Sequence, residues 1–318
     1  MDKFKNIAGL VCIAVISFVL SLLFAELLIR LKNNSMTNYD IEMWKYAKEL
    51  KIKSDNPLLG HEHIPSKTAV LQSVPIRINE QGLRGGPVSD NGESKRRILF
   101  LGGSIALGWG VSEDKVLTSK LEKMMGNAEV LNAGIGNYNA ARYVERFLTK
   151  LTGLNPTDIV VLYFLRDAER LEAGGGNWLL RNSQLAVTLW TAVNRVFKAT
   201  GEDVLEKHYV SVYDKNSVGF KEMDDALKRL STYASKHKIR IYLAMTPDVH
   251  NLKNYKFSYV HEIMRETANK YGYTYIDLFP AFKGLAPEEV WAMPGDPHPN
   301  ALGHEKMAGA IYPVLSSR

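Results

Sequence analysis

One cysteine in 318 residues is too few for a disulfide framework. Cys12 lies inside an apolar run near the N-terminus, so the rest of the chain forms no disulfide in any cellular compartment. The sequence also lacks runs of lysine and arginine interleaved with aromatic residues, and the formal net charge is only +6. These features disfavour a surface that follows a phosphate backbone, and we expect no nucleic-acid partner.

Metal-ligand and nucleotide-binding motifs are also missing. His61 and His63 have the spacing of a metal-ligand pair, but no further ligands accompany them. A surface loop is therefore the favoured interpretation of this pair. We expect neither a metal nor a cofactor.

One long uncharged segment runs from Ile7 to Ala25. At a rise of about 1.5 Å per helical residue, it nearly crosses a hydrocarbon core of about 30 Å. Leu23 and Ala25 match a signal-peptide cleavage site poorly, which favours an uncleaved, single-pass membrane anchor. Basic residues flank both ends, so the positive-inside rule decides little. We expect the main domain to be periplasmic or otherwise extracytoplasmic.

Apolar strand patterns alternate with helical patterns from Arg97 onward. Strands are predicted at 97–101, 129–132, 158–164, 239–245 and 273–279. Helices are predicted near 112–125, 139–152, 220–237 and 257–271, and from about 300. This alternation predicts an α/β fold with a five-stranded parallel sheet covered on both faces.

The remaining segments divide the chain further. We expect an N-terminal anchor at 1–32, a stalk and accessory segment at 33–96, and a main α/β domain at 97–318, which we call the sheet domain. Residues 168–219 are too many for a simple connection and are predicted to form a helical cap insertion. The cap's aromatic residues suit packing against the sheet better than a substrate-stacking surface. We call 33–96 the accessory segment and 168–219 the cap.

Two short stretches near opposite ends of the sheet domain carry candidate catalytic residues. Ser104 follows a strand and two glycines, so its hydroxyl lies on a sharp strand-exit turn, where a nucleophile can be presented. Asp296 and His298 lie in a proline-bounded turn before the last helix. A serine hydroxyl is nearly inert at neutral pH without a base, which His298 supplies while Asp296 orients the imidazole. Together they predict acyl transfer through a serine ester.

Other polar residues follow neighbouring strands of the predicted sheet. Asn137 follows the second strand, and Arg166 and Asp167 follow the third. Because ligands bind beyond the carboxyl ends of such strands, we expect these residues near Ser104. The backbone N–H of Ser104 and groups from Asn137 are the expected oxyanion donors. A serine after a glycine-rich turn is alone more often structural, and His304 could be only a solvated first-turn residue, but the joint pattern favours catalysis.

Four blocks in this order resemble the SGNH/GDSL hydrolase family, particularly membrane-anchored members associated with bacterial cell-surface polysaccharides. They are FLGGSIALGWG, NAGIGNYN, DIVVLYFLRDAE and DPHPNALGH, and the resemblance covers roughly Asn79 to Leu315. It implies a three-layer, flavodoxin-like sheet and esterase or O-acyltransferase activity. It also implies a serine nucleophile, a histidine base and no cofactor.

The chain departs from the family pattern at several positions. Gly103 stands in place of the aspartate of the GDS signature, and the second-block glycine aligns with Asn137, with Gly136 as the neighbouring candidate. Arg166 and Asp167 stand where the family has asparagine and aspartate. Losing one oxyanion donor costs about 100- to 1,000-fold in rate. A guanidinium that reached the same point would donate in its place, whereas one paired with Asp167 or Glu169 would not.

The expected function is that of a membrane-anchored serine O-acyl esterase or O-acyltransferase acting on surface carbohydrate esters. A membrane acyltransferase is a candidate partner. The alternative is a catalytically degenerate binding or scaffold subunit of a polysaccharide-modifying assembly, which Arg166 and the short Asp296-to-His298 spacing motivate. A soluble intracellular lipase or thioesterase is disfavoured by the predicted anchor.

Overall fold

A computed structural model describes residues 2–90, 96–171, 178–197, 202–294 and 296–317. The first helix, α1 (Asp2–Lys32), overlaps a candidate membrane span, Asn6–Ser35, which is long and apolar enough to cross a membrane and whose most apolar part is unburied. This finding confirms the predicted candidate span. A signal sequence has the same length and composition.

The accessory segment folds against the sheet domain. It contains helix α2 (Tyr39–Glu49) and two antiparallel strand pairs: β1 (Lys51–Lys53) with β2 (His61–His63), and β3 (Thr68–Leu71) with β4 (Val74–Arg77). Its buried side chains share a small core with two residues that follow the first strand of the main sheet; this core comprises Tyr46, Leu50, Ala69, Leu71, Ile76, Ile78, Leu107 and Trp109. The accessory segment is thus packed beside the strand exit that carries Ser104.

The pair His61 and His63 lies in strand β2 and is buried, so the predicted surface loop is wrong. The His63 ring contacts the Tyr46 hydroxyl at 2.7 Å and the Gly82 carbonyl at 3.1 Å. Burial holds the pKa of His63 well below its usual range and lowers that of His61 to about 3. These are neutral core imidazoles whose nitrogen atoms are used in hydrogen bonds.

Five parallel strands form the main sheet, as the sequence predicted. They are β5 (Arg96–Gly102), β6 (Ala128–Asn132), β7 (Asp158–Tyr163), β8 (Arg240–Met245) and β9 (Thr274–Asp277). Their spatial order is β6-β5-β7-β8-β9. This is the flavodoxin-like order, in which the direction of winding reverses beside β5 and brings two strand-to-helix connections together.

Helices follow the strands along the rest of the chain. They are α3 (Ser104–Leu107), α4 (Leu117–Met125), α5 (Ala140–Arg146), α6 (Trp178–Asn182), α7 (Gln184–Phe197), α8 (Glu202–Val212), α9 (Val218–His237), α10 (Ser258–Tyr271), α11 (Pro287–Val290) and α12 (Ala301–Ser316). Two short strands, β10 (Trp291–Met293) and β11 (Asp296–Pro299), form a separate antiparallel ribbon. Within the cap, residues 172–177 and 198–201 lie outside the described residues.

Two apolar cores lie on opposite faces of the sheet. One joins the sheet to α5, α9 and α10 through residues such as Val144, Leu227 and Met264. The other joins it to α4 and α12 through Leu121 and Ile311. The result is three layers, helix on sheet on helix, with the polar strand ends left at one edge.

Candidate active site

The exit of β5 presents the Ser104 hydroxyl. Gly102 ends the strand, Gly103 precedes the helix, and Ser104 is the first residue of α3. A Cβ atom at Gly102 would lie 2.7 Å from the Ala106 Cβ and 2.9 Å from the Leu162 carbonyl oxygen. Only glycine allows the helix to start this close to the sheet. As a first-turn residue, Ser104 has a main-chain N–H without an intrahelical acceptor, which makes it an available oxyanion donor.

Ser104, His298 and Asp296 lie in one hydrogen-bonded chain. The Ser104 Oγ and His298 Nε2 atoms are 2.7 Å apart, and His298 Nδ1 is 2.5 Å from Asp296 Oδ1. Asp296 is almost fully buried, with 1 % of its surface exposed. With Nδ1 donating to the carboxylate, Nε2 is the free base that accepts the serine proton.

The two-residue spacing between Asp296 and His298 is accommodated by a strand. We predicted a proline-bounded turn here; instead both residues lie in β11, where Asp296 pairs with Met293 and Pro299 with Trp291. The ribbon has two edges, and edge strands accept proline. Asp296 Oδ1 also accepts the His298 main-chain N–H at 3.1 Å, so one oxygen binds both groups of the histidine.

Two side chains of the accessory segment contact Asp296 and His298, and the sequence pattern predicted neither contact. Gln72 Nε2 donates to Asp296 Oδ2 at 3.2 Å. The Tyr39 ring stacks on the His298 ring, with centroids 5.9 Å apart. Burial and the Asp296 carboxylate raise the pKa of Tyr39 to about 12, so its hydroxyl stays protonated. Gln72 carries no turn signal in the sequence, because its hairpin turn contains no glycine. Gln72 and Ser73 both have positive φ, where asparagine and glycine are usual.

The loop after β6 holds the two other oxyanion candidates in different roles. Asn137 has a φ of 65°, the left-handed conformation natural to the glycine of the family pattern, and it lines the cavity beside Ser104. Gly136 has both main-chain groups occupied. Its N–H donates to the Tyr46 hydroxyl at 3.0 Å, and its carbonyl accepts from Lys51 Nζ at 2.7 Å and from His61 Nε2 at 3.0 Å. The accessory segment therefore anchors this loop, and Gly136 has no hydrogen left to donate.

Lys51, which donates to the Gly136 carbonyl, has a lowered pKa. Burial lowers this pKa to about 7, and the positive charges of Arg142 and Arg181 add to this effect. Either the ammonium or the neutral amine can donate to the Gly136 carbonyl. The contact with the loop therefore survives deprotonation of Lys51.

Arg166 and Asp167 follow β7 and line the same cavity with unlike environments. The Arg166 side chain is half exposed, and its Nε lies 3.2 Å from Glu169 Oε2, which is one of the two expected arrangements. Asp167 is buried and accepts from the Phe164 N–H at 3.1 Å and the Tyr143 hydroxyl at 3.2 Å. Burial raises the pKa of Asp167 to about 8, so its carboxyl is largely protonated at neutral pH.

The cavity beside Ser104 has a volume of about 100 Å³. Its walls come from the accessory segment and from the strand ends, and they include Tyr39, Gly103, Ser104, Asn137, Phe164, Arg166, Asp167, Leu171 and His298. Pockets for drug-sized ligands have about 300–1,000 Å³, so this one suits a small acyl group. A larger cavity of about 1230 Å³ lies elsewhere and is lined by residues such as Glu62, Arg97 and Arg146. Its lining does not include Ser104, His298 or Asp296.

The model of the GDSL-like lipase/acylhydrolase family matches residues 100–306. No curated protein matches the chain.

Several solved structures are similar to parts of this chain. A GDSL-like lipase from Bacteroides thetaiotaomicron VPI-5482 shares 14 % identity over 70 % of this chain and 88 % of its own, with a TM-score of 0.41. An acetyl xylan esterase shares 17 % identity over 69 % of this chain and 99 % of its own, with a TM-score of 0.42. A two-domain esterase active on acetylated mannans shares 18 % identity over 70 % of this chain and 49 % of its own, with a TM-score of 0.44.

Proposed function

Because the chain belongs to the GDSL-like lipase/acylhydrolase family, we propose that it is a serine-dependent O-acyl esterase or O-acyltransferase acting on short-chain esters of cell-surface carbohydrate. Membership of the family implies hydrolase activity. The observation that carries the proposal is the chain of hydrogen bonds from Asp296 through His298 to Ser104, at the wall of a small cavity.

In the proposed first step, Ser104 Oγ attacks the ester carbonyl carbon while its proton passes to His298 Nε2. Asp296 holds the imidazole and stabilises the imidazolium. The main-chain N–H of Ser104 and groups of Asn137 face the developing oxyanion. The carbon–oxygen bond to the alcohol then breaks, and His298 returns the proton to the departing alkoxide. An acyl-serine remains.

In the second step, water or a sugar hydroxyl loses its proton to His298 and attacks the acyl-serine. The product is a free acid in the first case and a new ester in the second, and Ser104 regains its proton from His298 in both. The two reactions use the same residues. Whether the protein is an esterase or a transferase therefore depends on the acceptor that reaches the acyl-serine.

The size and the polar wall residues of the cavity support the substrate class. A volume of about 100 Å³ suits an acetyl-sized group better than a long acyl chain. Asn137 and Arg166 line the cavity, and Arg166 pairs with Glu169. These polar groups can hydrogen-bond a polyhydroxylated alcohol, and we assign the carbohydrate to them.

We further propose that α1 is retained as a single-pass anchor and that the sheet domain lies outside the cytoplasm, where surface carbohydrate is found. A membrane acyltransferase that supplies or consumes the acyl group is the partner we propose. Nothing in the site calls for a nucleic acid.

Labelling of the detergent-solubilised full chain with a fluorophosphonate probe tests the nucleophile. We expect labelling of the wild type, loss of labelling in Ser104→Ala and His298→Ala, and normal labelling of Ser235→Ala, which changes an exposed serine on α9. Labelling that persists in Ser104→Ala, or is lacking in the folded wild type, would overturn the proposed enzyme.

A second assay tests the substrate class. We expect hydrolysis of acetylated sugars and little hydrolysis of long-chain acyl esters, and added sugar acceptor should divert acyl groups to new esters if the protein is a transferase. Preferential hydrolysis of the long-chain ester would contradict the assignment of a short acyl group.

One observation favours a second candidate, a binding or scaffold subunit that keeps the fold without turnover. Arg166 stands where the family has its oxyanion asparagine, and it pairs with Glu169. If Arg166 stays in that pair, one oxyanion donor is missing. A folded Ser104→Ala variant that carries out the cellular role as well as the wild type does would support this candidate.

A further inference from the structure

The cap carries an exposed apolar face. On helix α7, the side chains of Leu189, Trp190 and Val193 remain 56 %, 46 % and 55 % exposed. On helix α6, Trp178 and Leu179 are 76 % and 53 % exposed. Clusters of large exposed apolar residues mark interaction sites on soluble domains, and tryptophan is enriched where protein meets the membrane surface.

The last turns of α1 are bonded to the start of α7. The Glu26 carboxylate accepts the main-chain N–H groups of Gln184 at 3.0 Å and Leu185 at 2.8 Å, together with the Ser183 hydroxyl at 2.9 Å. Arg30 donates to the Asn182 carbonyl at 2.8 Å. Because Glu26 is the first charged residue after the uncharged run of α1, these bonds hold the beginning of α7 at the level where that run ends.

Beside this junction lies a groove in whose lining basic side chains outnumber acidic ones. It has a volume of about 140 Å³ and is lined by residues of α1, α2, α6 and α7, and its charged members are Arg30, Lys45, Lys48, Arg181 and Glu49. Arg30 is paired with Glu26 at 2.6 Å, and the three other cations still outnumber the one carboxylate of the lining, so the charge of the groove is positive. Basic residues directly beyond a membrane helix are attracted to the anionic headgroups of the bilayer.

From these observations, we propose that α6 and α7 form a second membrane contact, which lies on the surface of an anionic phospholipid bilayer beside α1. The exposed side chains of α7 enter the boundary between headgroups and acyl chains, and the basic groove faces the headgroups. A helix of this kind lies about 5–10 Å deep. The inference rests on the proposed membrane span by α1 and is independent of the catalytic chemistry.

This contact has a direct route to the catalytic residues. Trp190 packs edge-on against Trp44 of α2, with ring centroids 6.3 Å apart. Tyr39, at the start of the same helix, stacks on His298. One helix therefore separates the membrane-facing side of the cap from the catalytic base, so the site is held close to the bilayer.

Lipid-dependent quenching of site-specific labels tests the proposal on the full chain. The chain's one cysteine makes this straightforward, since Cys12 lies in α1 and is itself a reporter of the span. Three proteins are labelled with an environment-sensitive fluorophore: the wild type at Cys12, Cys12→Ser with Val193→Cys, and Cys12→Ser with Met124→Cys. Met124 is the matched control, because it is an exposed apolar residue on α4, 41 % exposed. Each is reconstituted in vesicles of phosphatidylcholine and phosphatidylglycerol that contain doxyl-labelled lipid.

We expect strong quenching of the labels at positions 12 and 193 and almost none at position 124. Quenching at 12 but not at 193 would overturn the cap contact while leaving the membrane span intact. Lack of quenching at 12 would remove the premise and overturn the inference with it. Equal quenching at all three positions would overturn it as well, since the contact would then not be specific to the cap.

The lipid charge provides a second arm. In vesicles of phosphatidylcholine alone, we expect weaker quenching at position 193 and unchanged quenching at position 12. Equal quenching at position 193 in both vesicle types would contradict the role assigned to the basic groove.

Discussion

The sheet domain and the accessory segment contribute to the same site in different ways. The sheet domain supplies the groups that exchange the proton, Ser104, His298 and Asp296. The accessory segment supplies side chains that touch those groups or the adjacent loop, among them Gln72 on Asp296 and Tyr46 on Gly136. One region carries the bond chemistry and the other sets its geometry. Substitutions in the two regions should therefore differ in the size and the kind of loss they cause.

The largest effect is expected in the sheet domain, from Asp296→Asn. The amide keeps the volume but favours the wrong imidazole tautomer, and in a serine protease the same change lowers kcat by about 10⁴-fold. Steady-state hydrolysis of an acetyl ester measures it. Asp225→Asn, at an exposed position on α9, is the control and should be unchanged. A loss of less than about tenfold for Asp296→Asn would mean that Asp296 does not orient His298.

A smaller effect is expected in the accessory segment, from Gln72→Met. The buried Asp296 carboxylate loses the donor at its second oxygen, and hydrogen bonds to charged groups contribute about 1.5–3 kcal/mol, which corresponds to roughly 10- to 100-fold in kcat. Since Gln72 is absent from the cavity wall, KM should change little. Kinetics at several substrate concentrations separate the two constants.

The double variant distinguishes positioning from general loss of structure. In the Asp296→Asn background, Gln72→Met should cost little more, because the carboxylate on which it acts is gone. Losses that multiply in the double variant would assign Gln72 a role independent of Asp296 and would weaken the contrast between the two regions.

A third change, Tyr46→Phe, combines a modest loss of activity with a loss of stability. The buried Gly136 N–H and the buried His63 ring both lose their contact with the hydroxyl, and an unsatisfied buried polar group costs about 1–3 kcal/mol of unfolding free energy. The loop bearing Asn137 is also less firmly held. We expect a lower thermal midpoint and a few-fold lower kcat. Tyr312→Phe on α12 serves as the matched control. A reduced midpoint with full activity would show that anchoring of Gly136 is purely structural.

The smallest effect on activity at neutral pH is expected from Asp167→Asn, whose signature is pH dependence. Burial raises the pKa of Asp167 from 3.8 to about 8, so the folded state holds this proton more tightly than the unfolded chain does. The stability that results is complete below the unfolded pKa and is lost as pH rises through the folded one. Relative to Asp167→Asn, the wild type should therefore lose stability between about pH 4 and 8. Thermal unfolding at both ends of this range measures it, and parallel curves would contradict a buried, protonated Asp167.

Sequence reasoning identified the elements of the sheet domain because their causes are local. Buried parallel strands are continuous apolar runs such as Ile98 to Leu101, and the alternation with amphipathic helices predicts the layers. The strand ends also predict which polar residues meet, because all parallel strands end at one edge. The structure brings Ser104, Asn137, Arg166, Asp167 and His298 to one cavity accordingly.

The accessory contacts had no comparable local cause. Gln72 and Asp296 are 224 positions apart, and Lys51 and Gly136 are 85 apart. These pairings follow from how a small hairpin and a helix pack on the sheet domain, which no periodicity encodes. Arg166 was a local ambiguity of another kind, since the sequence offered it two partners and only packing decides between them.

The distance along the chain between Ser104 and His298 has a consequence for synthesis. They are separated by 194 positions, and His298 comes after all five strands of the main sheet. The N-terminal parts, including α1 and the accessory segment, leave the ribosome long before the base that they surround. Until the segment that carries His298 is made, the serine has no partner to accept its proton, so the nascent protein can fold its sheet while still unable to attack an ester.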